Sequence, residues 1–331
     1  MNFLYSQLFV KPSAPTTDLN GQTLIITGSN TGLGFTAAQH IARLRPTRLI
    51  LAVRTPSKGE KARQDIINSI SDFDTSRTSI EVWQLDMSSY DSILAFSDRC
   101  GRELDRLDGV SLNAGIQTST FELMEGYEST ITVNVISTFL LAIALLPKLR
   151  ESAHGHNITP RLSIVSSETH AWASFPEKSA PQGQSILKAM SGPSKKISQS
   201  RYMDSKLMQI LVFRHLHSLL TTRAKQDEGK VIWNILNPGF CYSELGRGAS
   251  KLQEVMRFFL ARTQEMGGRP IAAGLVAGKG SDGMYMHDGV VDEGALSSYV
   301  KSKEGEEMGA RLYEELKEIY ERVRPGLTEG F

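Results

Sequence analysis

Tyr202 and Lys206 stand four apart in the run Tyr202-Met203-Asp204-Ser205-Lys206, a spacing that puts both side chains on one face of a helix. A free tyrosine titrates near pH 10, roughly three units above neutrality, and is a sluggish acid–base group. An ammonium beside it stabilises the tyrosinate and draws its pKa toward the working pH, where proton transfer is most efficient. A Tyr-x-x-x-Lys pair recurs by chance and is more often structural, so its neighbours decide its meaning. The apolar run before Ser166-Ser167 ends in two hydroxyls, either of which could hold a carbonyl oxygen alongside the tyrosine. Asn134 is a lone amide in a long apolar helical stretch, where burial demands a partner. It either braces the helix or holds a water linked to Lys206.

A second constellation is Thr27-Gly28-Ser29-Asn30-Thr31-Gly32-Leu33-Gly34, which follows an apolar run and opens a helical pattern. Glycines there let the backbone turn tightly and approach a pyrophosphate, whose charge suits the free N–H groups of a helix start. The spacing is Gly-x-x-x-Gly-x-Gly, and the context is that of a dinucleotide site. The next apolar run ends Val53-Arg54, with Lys58 one turn later and no acid before Glu60. An acid at this place binds a ribose 2′-hydroxyl, whereas an arginine accepts a 2′-phosphate. Arg54 and Lys58 therefore point to NADPH, with Ser29 and Asn30 adding hydrogen bonds to the same phosphate.

Groups so scattered in sequence need a scaffold whose strand ends share one edge. Short β-branched runs predict strands at Thr23–Thr27, Arg48–Val53, Ile80–Leu85, Gly109–Leu112, Arg161–Ser166, Val231–Leu236 and Gly283–His287. Several, such as Leu49-Ile50-Leu51-Ala52-Val53, are apolar throughout, which suits parallel strands covered on both faces. Helical patterns at Thr36–Leu44, Gly59–Ile70, Leu123–Leu149 and Ser200–Thr222 lie between them, the third read as two helices. The expected fold class is α/β: one doubly wound parallel sheet of about seven strands with helices on both faces. Residues 1–20, with Pro12 and Pro15, read as an extended arm, and residues 21–331 as one domain. Irregular stretches near 171–199 and 245–280, the latter with a helical piece at Leu252–Arg262, follow strand ends. Ligands bind there in open α/β sheets, so both are expected to shape a substrate pocket.

The 331 residues carry a formal net charge of +1, which gives no support to a nucleic-acid partner. The two cysteines, Cys100 and Cys241, have no metal-like spacing and fit a reducing, cytoplasmic setting. No metal site is expected. No window is read as a membrane span, and Met1–Val10 lacks the pattern of a signal peptide. The absence of a Gly-x-Ser-x-Gly elbow disfavours a Ser/His/Asp hydrolase.

In order, Thr27-Gly28-x-x-x-Gly32-x-Gly34, Asp86, Asn113-Ala114-Gly115, Asn134, Ser167, Tyr202-x-x-x-Lys206 and Pro238-Gly239 resemble the short-chain dehydrogenase/reductase family. Ala52-Val53-Arg54, Lys58-Gly59-Glu60 and Tyr299–Gly305 are similar to its retinol-dehydrogenase-like branch. The chain also resembles reductases of fungal secondary metabolism. The resemblance implies a single Rossmann-type domain with NADPH or NADP+ as cofactor. Tyr202 would protonate a substrate carbonyl, Lys206 would bind the nicotinamide ribose, Ser167 would position the carbonyl and Asn134 would carry a proton-relay water. Asp86 would contact the adenine, and Asn113, Ala114 and Gly115 would line the adenosine side. Pro238 and Gly239 would border the nicotinamide, with Ser243 where the family often has threonine. The interval from Ser167 to Tyr202 is longer than in the commonest members, which keeps Ser166 as the alternative serine. Members with such an insertion include monomers, so monomer and homodimer both stay open.

His170 beside Ser167 reads as a pocket wall rather than a proton carrier. His215 and His217 lie two apart, off a shared helix face, and make a poor metal pair. Trp172, Phe175 and Phe258-Phe259 either pack on a lipophilic substrate or anchor their segments. The expected function is NADPH-dependent reduction of a ketone or aldehyde on a bulky apolar molecule, such as a polyketide-like intermediate. The alternatives are oxidation of a retinoid- or steroid-like secondary alcohol, and an NADPH sensor or redox-neutral enzyme on the same fold.

Overall fold

The computed structural model describes residues 3–192, 200–223, 229–242 and 260–330. The strands are β1 (Thr23–Thr27), β2 (Arg48–Val53), β3 (Ser79–Gln84), β4 (Gly109–Leu112), β5 (Leu123–Met124), β6 (Tyr127–Glu128), β7 (Arg161–Val165), β8 (Ile232–Asn237), β9 (Tyr285–His287) and β10 (Val290–Val291). Eight of them form one sheet in the order β10-β9-β8-β7-β4-β1-β2-β3, and β5 pairs only with β6. Every pairing in the large sheet is parallel except β9 with β10. The expected seven strands are thus present, and an eighth was missed. It is a two-residue strand with both side chains exposed, too short to show a period.

The helices are α1 (Phe3–Phe9), α2 (Gly32–Arg43), α3 (Pro56–Asn68), α4 (Tyr90–Glu103), α5 (Ser129–Ile131), α6 (Thr138–His156), α7 (Ile186–Met190), α8 (Arg201–Arg223), α9 (Gln264–Val276) and α10 (Lys303–Val323). A wide π turn, Thr132–Ser137, joins α5 to α6 without a break. Two apolar cores lie on opposite faces of the sheet, one under α4, α6, α8 and α10 and the other under α2 and α9. β1 is buried at all five positions, as continuous apolarity predicts for a central parallel strand. By length and apolarity Ser129–His156 meets the criterion for a membrane-crossing helix, contrary to the expectation from sequence, but 94% of its most apolar window is buried inside the fold.

Two expectations change. The first residues are not wholly an extended arm, because Phe3–Phe9 is helical. Residues 264–276, expected within a pocket insertion, form a core helix. Gly268 of α9 lies so close to α2 that a Cβ would sit 2.5 Å from Thr36 Oγ1. Of the piece at Leu252–Arg262, residues 252–259 lie outside the described residues, as do Ser243 and Phe258-Phe259.

Candidate active site

β1 and β4 end side by side, where the order of strands reverses, and their ends are tied by side chains. Thr27 Oγ1 accepts from the backbone N–H groups of Asn113 and Ala114, each at 2.9 Å, and Asn113 Nδ2 donates to Thr27 O at 2.9 Å. Gly28 and Gly32 have φ of +65° and +61°, a region that favours glycine. At Gly34 a Cβ would collide with Asn113 Nδ2 and sit 2.5 Å from Gly28 O. Three glycines therefore clear a cradle in front of the first N–H groups of α2, which suits a pyrophosphate. Thr31 is the exposed residue before α2 and Leu33 packs toward α9. Ser29 is buried and its hydroxyl donates to Ile26 O at 2.9 Å, so its proton faces inward, while Asn30 is half-exposed.

Arg54 follows β2 directly and Lys58 lies in the first turns of α3; both are exposed and neither has an ion pair among the described residues. Their neighbours differ: Lys61 pairs with Asp65 at 2.9 Å and Arg63 with Glu60 at 2.7 Å. Asp86, after β3, is half-buried and accepts from Ser88 N at 2.9 Å and Ser88 Oγ at 2.7 Å.

Helix α8, which carries Tyr202 and Lys206, is fixed at its start by Asp204, which accepts from Phe175 N at 2.9 Å and Ser200 Oγ at 3.0 Å. Phe175, buried with φ of +38°, thus anchors the insertion. Tyr202 is half-buried. Desolvation pushes its phenol up to about 12, and the nearby Ser167 hydroxyl opposes the rise. Lys206 Nζ lies 5.5 Å from the Tyr202 ring centre and donates to Val165 O at 2.9 Å and Gln209 Oε1 at 3.1 Å. Burial pushes the ammonium down to about 7. The expected lowering of the tyrosine by its lysine is therefore not seen in the protein alone. Ser166 is buried and its hydroxyl donates to Lys206 O at 3.2 Å; Ser167 is half-buried and its Oγ accepts from Thr169 N at 3.2 Å and Thr169 Oγ1 at 3.0 Å.

Asn134 sits in the π turn. Its Oδ1 accepts from Ile116 N at 2.8 Å, and its Nδ2 donates to Ile116 O at 2.9 Å and Ser205 Oγ at 3.0 Å. It braces the loop after β4 against α8. Its main-chain oxygen accepts from Gln209 Nε2 at 2.5 Å. Gln209 was not singled out from sequence, although it lies three residues after Lys206 and so on the same helix face. His170 is buried between Ser167 O, 2.8 Å from Nδ1, and Ser297 N, 3.2 Å from Nε2. Desolvation lowers it to about 4, which makes it a neutral wall. His217 pairs with Asp282 at 3.0 Å, and no group of three metal-binding side chains occurs among the described residues.

Helix α1 lies across the edge that carries these loops. Gln7 Nε2 donates to Phe240 O and Leu260 O, both at 2.8 Å, and Gln7 Oε1 accepts from Phe240 N at 3.0 Å. Gly239 has φ of +85°, and a Cβ there would approach Arg262 to 2.7 Å, so Pro238-Gly239 is held closely from this side. Arg262 binds Asp288 at 2.6 Å and Ser6 O at 2.6 Å, all buried. Phe3 meets Trp172 edge-on at 5.3 Å. Pro238-Gly239 and Trp172 were singled out from sequence; the partners in α1, and Arg262 and Asp288, are too far apart in sequence to be linked without the fold.

The short chain dehydrogenase family model matches residues 22–171. The short-chain dehydrogenase anuD of Penicillium roqueforti is 42% identical over 99% of this chain and 84% of its own length. The short chain dehydrogenase/reductase dmxR8 of Cryptosporiopsis is 41% identical over 100% of both chains. In fold the chain is similar to the Pseudomonas aeruginosa RhlG/NADP complex, with a TM-score of 0.58, 20% identity and coverage of 86% of this chain and 100% of that one. A short-chain type dehydrogenase/reductase from Mycobacterium marinum aligns with the same TM-score of 0.58 at 17% identity, over 84% of this chain and 96% of that one. The protein belongs to the short-chain dehydrogenase/reductase family and is an oxidoreductase that uses a nicotinamide cofactor.

Proposed function

We propose that the protein reduces a ketone or aldehyde on a bulky apolar small molecule, such as a polyketide-like intermediate, with NADPH as reductant. The observation that carries this reading is buried Lys206 one turn along α8 from Tyr202, with its ammonium 5.5 Å from the phenol ring centre. When bound in the glycine cradle, NADPH would supply a hydride to the carbonyl carbon. Ser167 orients the carbonyl oxygen through its hydroxyl. Tyr202 gives that oxygen its phenolic proton, and Lys206 stabilises the tyrosinate left behind. A phenol pushed up to about 12 is protonated at neutral pH, the form that reduction needs and oxidation does not.

The cradle at Gly28, Gly32 and Gly34 would hold the pyrophosphate, and Arg54 and Lys58, exposed and without an ion pair among the described residues, favour a 2′-phosphate. Asp86 would face the adenine, Asn113 to Gly115 the adenosine, and Pro238, Gly239 and Ser243 the nicotinamide. Trp172, 52% exposed and edge-on to Phe3, offers apolar surface beside the serine loop, which supports a lipophilic substrate. Cys100 and Cys241 are both unpaired and buried, in keeping with a reducing cytoplasm, where the protein acts as a monomer or homodimer. An assay of NADPH absorbance against a panel of bulky ketones and aldehydes tests the proposal. Consumption that depends on one carbonyl class supports it; NADPH binding without turnover of any carbonyl contradicts it.

A further inference from the structure

Helix α1 docks through its polar residues. Ser6 and Gln7 are buried, whereas Tyr5, Leu8 and Phe9 are exposed. Seven residues are too few to hold a helix in water, so these contacts keep it in place. Ser6 ties it to the end of β9, where its hydroxyl donates to Asp288 Oδ2 at 2.6 Å and lies 3.0 Å from His287 Nε2. Gln7 reaches a different place. A carboxamide has two N–H donors and one acceptor oxygen, and in Gln7 both donors and the oxygen engage the main chain of Phe240 and Leu260. The stretch after Gly239 is also paired with residues 260–262: Arg262 N donates to Phe240 O at 2.8 Å and Tyr242 N to Arg262 O at 2.9 Å. A Cβ on Gly239 would stand 3.1 Å from Gln7 Oε1. Gln7 therefore packs on the Gly239 turn and also bonds to the residue after it, satisfying main-chain groups of an irregular segment. In the sheet, β8, which leads into this turn, is separated from β2, which leads into Arg54, by β7, β4 and β1. That is four strand spacings, roughly 19 Å.

We propose that Gln7 is a positioning residue for the nicotinamide end of the cofactor, acting through Gly239 and Phe240. This rests on the proposed place of Pro238-Gly239 beside the nicotinamide. A loop already held in its binding shape does not have to be ordered when the ligand arrives. The gain falls only on the part of the ligand that the loop meets. The adenosine 2′-phosphate end, assigned to the turn after β1 and to Arg54 after β2, lies too far along the sheet to depend on Gln7.

Isothermal titration of the full chain with NADPH and with adenosine 2′,5′-bisphosphate, which has no nicotinamide, separates the two ends. Gln7→Leu keeps most of the bulk and removes all three bonds. It should weaken NADPH binding about tenfold and leave the bisphosphate within about twofold. The emission of NADPH bound to this variant should lie closer to that of free NADPH. Gln7→Glu keeps the acceptor for Phe240 N, loses both donors and should show the same contrast between the two ligands. Native NADPH affinity in Gln7→Leu would overturn the proposal. Equal weakening of both ligands would overturn it too, because α1 would then support the whole domain and not one end of the site. Gly239→Val tests the place of the turn itself. A branched side chain there should weaken NADPH and not the bisphosphate, and native NADPH affinity would instead remove Pro238-Gly239 from the nicotinamide.

Discussion

Gln209 joins Lys206 to the main chain of Asn134, with Oε1 3.1 Å from the ammonium and Nε2 2.5 Å from the carbonyl oxygen. From sequence, Asn134 was expected either to brace its helix or to hold a water linked to the lysine. The π turn, Thr132–Ser137, presents the Asn134 carbonyl to α8 while the asparagine side chain holds the loop after β4. One amide thereby fixes the height of the lysine against both the sheet and the apolar helix.

Gln209→Leu leaves the Asn134 carbonyl and one ammonium bond unsatisfied in a buried place, a loss of about 1–3 kcal/mol in unfolding free energy. Gln209→Glu keeps an acceptor for Lys206 and should raise the lysine's pKa. Denaturant unfolding of the leucine variant is the check; a midpoint equal to that of the native chain would deny the link any structural weight.

Lys206 gives stability a definite pH dependence. Its folded pKa of about 7 lies below the unfolded value of 10.5, so between these the unfolded chain binds more protons and stability rises with pH. Below the folded value the contribution is at its minimum and flat. The unfolding free energy of the native chain minus that of Lys206→Met should grow by on the order of 1 kcal/mol from about pH 7 to about pH 8.5. A flat or falling difference would show that Lys206 stays charged across the window.

Arg54→Ala should weaken NADPH binding about tenfold or more and NADH binding by much less. Adding Lys58→Ala should widen the gap. Isothermal titration with both cofactors decides, and equal losses would place the 2′-phosphate elsewhere.

Much of this site is legible in sequence because its groups lie at strand ends and on one helix face. The glycine turn follows from its spacing and its place after a strand, while the Tyr202–Lys206 pair and Asn113 took their meaning from the family resemblance. Sequence alone left Ser166 and Ser167 as alternatives; in the fold the former donates to Lys206 O. Gln209 had a signal that went unused, its three-residue offset from Lys206. The role of α1 had none. Ser6 and Asp288 are 282 positions apart, and a seven-residue helix is too short to announce itself by period.

That distant contact carries its own test. Arg262→Leu leaves Asp288 buried without its guanidinium, which holds the carboxyl far below its usual range together with His287 and Ser6. The variant should lose about 3–5 kcal/mol of stability, and Arg262→Leu with Asp288→Leu should lose less. Single and double variants of equal stability would mean that the pair is not coupled.

The most direct test of carbonyl reduction is Tyr202→Phe, measured for NADPH affinity and for turnover of the best carbonyl in the panel. Removal of the phenolic proton should leave affinity within about twofold and lower the turnover number by at least about a hundredfold. Turnover at the native rate would contradict Tyr202 as the acid and, with it, the proposed chemistry.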